Sequence, residues 1–274
     1  MRKNYLRELL QADKPTLGTH AFSSWPTIFE LIGHSGAFDY VEFSGEYAPF
    51  DLYALENLGR AVELFPNFSG MIKVDQEPRT HLAVRALCSG FQSVLFADVR
   101  TVADAVECVQ AVRAETPTTG GRHGVALSRE VGVVLEAGSP AFVQAMEDAI
   151  VAIMIEKKEA VENLESILSV KGIDMVQFGP SDFSLSSGLV GQRSHPAIRE
   201  AEEHMIKVAL QKGIAPRVEV HEPKQAERYL GLGVKHFCIG WDVRILFNWW
   251  KENGNAMRSM LGEVAGGSQA GTSY

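Results

Sequence analysis

Glu156 and Asp182 are the residues of this chain whose types and spacing most readily carry chemistry. Each follows an apolar run of strand type: Ile150–Ile155 leads into Glu156, and Ile173–Phe178 leads into the turn Gly179-Pro180-Ser181-Asp182. Between the runs, Lys158–Val170 places Ala160, Val161, Leu164, Ile167 and Leu168 at helical spacing. Strand, helix and strand in so short a span form a βαβ unit, whose strands are parallel. Both carboxylates then stand at the carboxyl ends of neighbouring strands, the edge where α/β folds bind ligands. Two carboxylates with few other donors suit a hard divalent cation that keeps its waters. Caps on the helices that follow would use the same two residues, and spacing alone leaves both readings open.

The elements that must position such a pair recur along the chain. Apolar strand patterns fall at Leu17–Phe22, Tyr40–Phe43, Gly70–Val74, Ser93–Ala97, Ile150–Ile155, Ile173–Phe178, Ile214–Val220 and His236–Ile239. Helical patterns fall at Trp25–Ser35, Asp51–Leu64, Pro78–Cys88, Thr101–Val112, Lys158–Val170, Pro196–Lys212, Glu222–Leu232 and Asp242–Met260. Such alternation predicts a (β/α)8 barrel, with an open doubly wound sheet as the other fold it fits. A chain of 274 residues is the size of one barrel. The expected organisation is a single domain over residues 1–261 and a Gly/Ser-rich, disordered tail over 262–274. Residues Thr116–Ser139, with paired Gly120-Gly121, replace a tight connection and read as a functional or disordered loop.

Composition removes several function classes. A net charge of −8 argues against a nucleic-acid surface. No apolar run is long enough to cross a bilayer. The opening MRKNYLRELLQADKP lacks the apolar core of a secretory signal. Cys88, Cys108 and Cys238 lie among apolar neighbours without a Cys-x-x-Cys pair, as expected for reduced core thiols of a cytoplasmic protein.

The pattern around the two carboxylates resembles that of the HpcH/HpaI aldolases, which are metal-dependent 2-oxo-acid aldolases. Their motif runs strand–Gln-Ile-Glu, helix, strand–Gly-Pro-x-Asp-Leu-Ser; this chain has Met154-Ile155-Glu156 and Gly179-Pro180-Ser181-Asp182-Phe183-Ser184. The resemblance extends from Leu17-Gly18-Thr19 to about Asp242. It implies a TIM barrel of the pyruvate type, with Glu156 and Asp182 holding Mg²⁺, Mn²⁺ or Co²⁺. It further implies reversible aldol cleavage of a 4-hydroxy-2-oxo acid to pyruvate, or a similar 2-oxo acid, and an aldehyde. Gly179, Pro180, Ser181 and Asp182 would receive the substrate carboxylate, with Gly179 permitting close approach and Pro180 stiffening the turn. The last helix, with Leu246, Phe247, Trp249 and Trp250, would pack on a neighbouring subunit of a homo-oligomer, a trimer or hexamer. One Trp could face the barrel and the other a partner. The segment matching Arg122-His123-Gly124 lies near the active-site mouth in the family.

The chain also departs from the resemblance. The family's second strand ends in Asp-x-Glu-His-Ala/Gly-Pro, whose His and Asp transfer a proton; here it reads Ser44-Gly45-Glu46-Tyr47-Ala48-Pro49. Lys73 stands where an Arg reaches the substrate carbonyl, and Met154 replaces a Gln. The expected catalytic set is therefore Lys73, Tyr47 and Glu46, with Lys73 keeping positive charge but not the guanidinium fork. Tyr titrates near ~10 against ~6.5 for His, so Tyr47 is a hydrogen-bond donor or a water-mediated shuttle rather than a base at neutral pH. His20 and His221, at or just beyond strand ends, could replace the missing His or be structural. Glu42, among apolar strand neighbours, reads as a buried, paired carboxylate; Trp241-Asp242 reads as packing plus a helix cap. Loss of the dyad leaves two further readings: a decarboxylase or other C–C lyase, and a barrel that binds a metabolite without catalysis.

Overall fold

The eight apolar runs pair in parallel, each with the next and the last with the first, and close a barrel. The computed structural model describes residues 2–192 and 194–262. Its strands are β1 (Thr16–Ala21), β2 (Tyr40–Phe43), β3 (Ser69–Val74), β4 (Ser93–Phe96), β5 (Ile150–Ile155), β6 (Met175–Phe178), β7 (Ala215–Val220) and β8 (His236–Trp241). The barrel excludes the doubly wound alternative. The tail expected over 262–274 lies, from residue 263 on, outside the described residues. Among the described residues no helix is long and apolar enough to cross a membrane.

Strand side chains alternate between two faces, and the chain uses both for apolar packing. Outward-facing Val41, Phe43, Ile72, Val74, Val94, Phe96, Val151, Ile153 and Ile155 join the helices in one large buried cluster. Inward-facing Tyr40, Met71, Leu95, Ala152, Met154 and Met175 form a second cluster inside the barrel. Gly18 makes room for it, since a Cβ there would lie 2.3 Å from the Tyr40 ring. At the barrel closure Gly18 pairs with Cys238 and His20 with Trp241, so β8 carries one extra residue, a bulge beside Gly240 at φ +84°.

The helices are α1 (Tyr5–Gln11), α2 (Pro26–Ser35), α3 (Leu52–Glu63), α4 (Arg79–Cys88), α5 (Val102–Val112), α6 (Pro140–Asp148), α7 (Lys158–Glu162), α8 (Leu164–Ile167), α9 (Pro180–Ser186), α10 (Pro196–Gln211), α11 (Ala226–Gly231) and α12 (Asp242–Met260). α1 plugs the amino-terminal mouth. Its Leu6 joins the interior cluster, and Arg7 forms a two-pronged ion pair with Asp174 at 2.6 and 2.8 Å. Asp242 ties the start of α12 to the end of β1, accepting from the Phe22, Ser23 and Val243 N–H groups at 2.8–2.9 Å. The N-cap position itself is Trp241, so Asp242 acts from the first helical position as a tie to β1 rather than as the cap expected of it.

Three expectations need correction. The single helix over 158–170 is two short ones, broken at Asn163, whose amide donates to the Arg100 carbonyl at 3.2 Å. The 116–139 segment runs along the amino-terminal face rather than near the active-site mouth. Together with α6 it joins the end of α5 to the start of β5, and both lie on that face; Ser128 donates to the Leu87 carbonyl, and Gln92 donates to Glu130 at 2.8 Å. On α12, Trp249 and Trp250 are both exposed, at 61% and 62%, so neither faces the barrel.

Candidate active site

The carboxyl-terminal mouth gathers the residues singled out by spacing. Glu156 follows β5 and is buried, with its Oε1 accepting from the Asp98 N–H at 2.7 Å. Gly179 ends β6 directly against it: a Cβ at Gly179 would lie 2.4 Å from the Glu156 Cβ and 2.5 Å from its Oε2. Asp182 sits in the first turn of α9, behind Pro180, with its side chain 38% exposed. Its Oδ1 accepts from Lys157 Nζ at 2.7 Å. The first N–H groups of such a helix have no intrahelical acceptor, so those of Ser181 and Asp182 point outward from the turn.

Lys73, near the end of β3, is buried and makes a 2.5 Å ion pair with Glu46. It also donates to the Tyr47 hydroxyl at 3.0 Å, with its Nζ 4.8 Å from the centre of that ring. Burial alone would lower the Lys73 pKa; Glu156, Tyr47 and Glu46 outweigh it and raise the net value. Lys73 is therefore an ammonium throughout the neutral range. Burial, opposed by Lys73 and aided by Glu46, pushes the Tyr47 phenol up to about 12. Burial also pushes Glu156 up, more than Lys73 and the Asp98 N–H pull it down. Met154 lies in the apolar interior beneath these groups.

Two members of the mouth escaped the sequence reading. Asp98 has φ +56°, a left-handed backbone that non-glycine residues rarely adopt, and this turn aims its N–H at Glu156. Nothing in the sequence marks that backbone. Lys157 was visible as a cation directly after Glu156, but its reach to Asp182 depends on how α9 docks. His221 is exposed beyond β7 and holds no place in this group.

A second polar cluster fills the barrel interior on the opposite side. Arg217 of β7 is fully buried. It donates to the Tyr40 hydroxyl at 2.7 Å, to Gln177 Oε1 and to Glu42 Oε2. Burial would raise the Glu42 pKa, but Arg217 and then His20 hold it well below the usual carboxylate range. His20 lies between two carboxylates, Nδ1 3.3 Å from Glu42 and Nε2 3.5 Å from Glu219. Glu42 is thus the buried, paired carboxylate expected of it.

A closed (β/α)8 barrel with carboxylates and a buried lysine at its carboxyl-terminal mouth is built as an enzyme scaffold of the TIM-barrel class. Residues 20–248 match the family described as HpcH/HpaI aldolase/citrate lyase, and the chain belongs to that family. A 4-hydroxy-2-oxo-heptane-1,7-dioate aldolase of Shigella boydii serotype 18 is 30% identical over 251 residues, covering 89% of this chain and 91% of that protein. An HpcH/HpaI aldolase from Desulfitobacterium hafniense DCB-2 superposes with a TM-score of 0.82 at 24% identity, over 95% of this chain and 98% of that one. The citrate lyase beta subunit of M. tuberculosis, a structure with oxaloacetate and magnesium, superposes with a TM-score of 0.56 at 12% identity, over 84% of this chain and 93% of that one.

Proposed function

We propose that the protein is a metal-dependent carbon–carbon lyase that reversibly cleaves a 4-hydroxy-2-oxo acid to pyruvate, or a similar 2-oxo acid, and an aldehyde. The observation that carries this reading is the meeting of Glu156, Asp182 and Lys73 at one mouth, within a chain of this family. The residues fit a divalent ion. Glu46, Glu156 and Asp182 outnumber Lys73 and Lys157, and Gly179, where a Cβ would collide with Glu156, lets the α9 turn that carries Asp182 lie directly against that carboxylate. Glu156 and Asp182 would hold Mg²⁺, Mn²⁺ or Co²⁺, since oxygen donors select hard cations. When bound, the ion polarises the 2-oxo carbonyl and offsets negative charge on it.

The remaining work falls to the chain. The Ser181 and Asp182 N–H groups, in the turn that Gly179 and Pro180 shape, receive the substrate carboxylate. Lys73 presents positive charge to the oxygen that gains electron density. Glu46 fixes the Lys73 ammonium, and Tyr47 offers a hydrogen bond at the same point. The absence of a neutral-pH base at Tyr47 favours a second reading, decarboxylation of a 2-oxo diacid, which needs no proton taken from a 4-hydroxyl. The exposed apolar side chains of α12 support a homo-oligomer, a trimer or hexamer, formed through that helix; sedimentation as a lone chain would contradict it.

Exchange of the pyruvate methyl protons into D₂O, followed by NMR, tests the shared core of these readings. It should require added Mg²⁺ or Mn²⁺ and vanish in Glu156→Gln, with the circular dichroism spectrum unchanged. Undiminished exchange in excess EDTA would overturn the proposal.

A further inference from the structure

His20, Glu42 and Cys238 meet inside the barrel where β8, β1 and β2 adjoin, and the chemistry at Glu156 and Asp182 uses none of them. One nitrogen, one oxygen and one sulfur, taken from the three in turn, lie within 4.8 Å of one another. Glu42 and Cys238 are fully buried and His20 is 8% exposed. Glu42 Oε1 and His20 Nε2 are both buried without a hydrogen-bond partner among the described residues. Such orphaned polar atoms are costly unless something satisfies them.

We propose that His20, Glu42 and Cys238 form a second metal site, distinct from the Glu156–Asp182 pair, for a borderline transition ion such as Zn²⁺. His20 Nδ1 and Glu42 Oε1 are 3.3 Å apart. Two donors bound to one tetrahedral ion at ~2.0–2.1 Å stand about that far apart. Behind them stand the charged groups of a supporting shell, with Glu219 not yet hydrogen-bonded to His20. The other Glu42 oxygen is held by Arg217, and Glu219 Oε2 lies 3.5 Å from His20 Nε2. A carboxylate behind a ligating His fixes its tautomer and orientation.

The donor set also decides between ions. Nitrogen, oxygen and sulfur together favour zinc over magnesium, which the all-oxygen pair at Glu156 would take instead. Burial would lower the His20 pKa, but Cys238, Glu42 and Glu219 raise it well above the ordinary value, so ion binding must displace the His20 proton as well as the Cys238 proton. Glu42, Glu219 and the thiolate are then three negatives, against Arg217 and a divalent ion. The three donors lie within 4.8 Å of one another and must draw together to about 3.3–3.6 Å around a tetrahedral ion. The β8 bulge beside Gly240 lies next to Cys238 and supplies the slack. Water would take the fourth position, as at zinc sites with three protein ligands.

Zinc K-edge X-ray absorption on the Glu156→Gln/Asp182→Asn protein loaded with one equivalent of Zn²⁺ tests this directly. One sulfur at ~2.3 Å with nitrogen or oxygen neighbours is expected; a shell without sulfur would overturn the assignment. Co²⁺ should give thiolate charge-transfer absorption in that same double variant, and none in Cys238→Ser. Glu219→Gln should weaken Zn²⁺ binding about 10–100-fold, as loss of a supporting carboxylate does. Unchanged affinity in both Cys238→Ser and His20→Gln would also refute the site. None of these measurements depends on the lyase activity, so the two proposals stand or fall separately.

Discussion

The two sides of the barrel interior treat charge in opposite ways. Beneath Lys73 and Glu156 lie Met71, Leu95, Ala152, Met154 and Met175, a floor with no charged group. On the β7–β8–β1–β2 side the same depth holds Arg217, Glu42 and His20, all buried. Arg217 spends its donors on Tyr40, Gln177 and Glu42. The lysine side keeps its charges at the rim, over a low-dielectric floor that strengthens their action on a ligand. The arginine side spends most of its charge on itself. Charge over an apolar floor is available for chemistry, whereas charge enclosed by its own counter-charges mainly holds the barrel in register.

The largest effect should come from breaking the arginine side. Arg217→Met leaves Glu42 buried without its main counter-ion, and loss of one partner of a buried pair costs roughly 3–5 kcal/mol. For a chain of this size the melting temperature should fall by ~10 °C or more. Adding Glu42→Gln should recover much of the loss, because the stranded charge is then gone. A single variant as stable as the parent protein would show that Arg217 is not the organising ion on that side.

The lysine side should respond in rate rather than in stability. Lys73→Met should lower kcat by roughly 10²–10³, the effect of removing one oxyanion donor, while the melting temperature moves less than in Arg217→Met. Because Lys73 is held as an ammonium, borohydride with pyruvate should leave no adduct on it. A trapped adduct would assign Lys73 to covalent chemistry and reverse the contrast between the two sides.

How much of this was legible follows from which forces act locally. The strands announce themselves because each is an apolar run a few residues long. Glu156 and Asp182 could be placed side by side because a βαβ unit leaves little freedom. Arg217 carried no such signal: its partners Tyr40 and Glu42 lie on a strand some 175 residues away, a closeness created by barrel closure alone. α1 is only 7 residues long, and its burial comes from plugging a barrel that the local sequence does not reveal. For the 116–139 segment the resemblance to a family points to the active-site mouth, whereas the connection from α5 to β5 lies, as helix-to-strand connections do, at the amino-terminal face. Asn163 breaks its helix through a bond to Arg100, again a partner distant in sequence.

Tyr47 is where the lysine side can be probed most finely. Its hydroxyl accepts from Lys73, and its pKa is pushed up to about 12. A phenol with so high a pKa stays protonated up to about pH 11, so it cannot act as a base in the working range. What it offers is a hydrogen bond, whose net value is about 0.5–1.5 kcal/mol. Tyr47→Phe should therefore slow the proposed cleavage of a 4-hydroxy-2-oxo acid only about two- to tenfold and leave pyruvate proton exchange nearly unchanged. The pH–rate profile should keep its shape and drop as a whole, since no group titrating in that range has been removed. If Tyr47→Phe instead erased a limb of the profile between pH 6 and 9, the hydroxyl would be titrating within the active site. The protonated state assigned to it beside Lys73 would then be wrong.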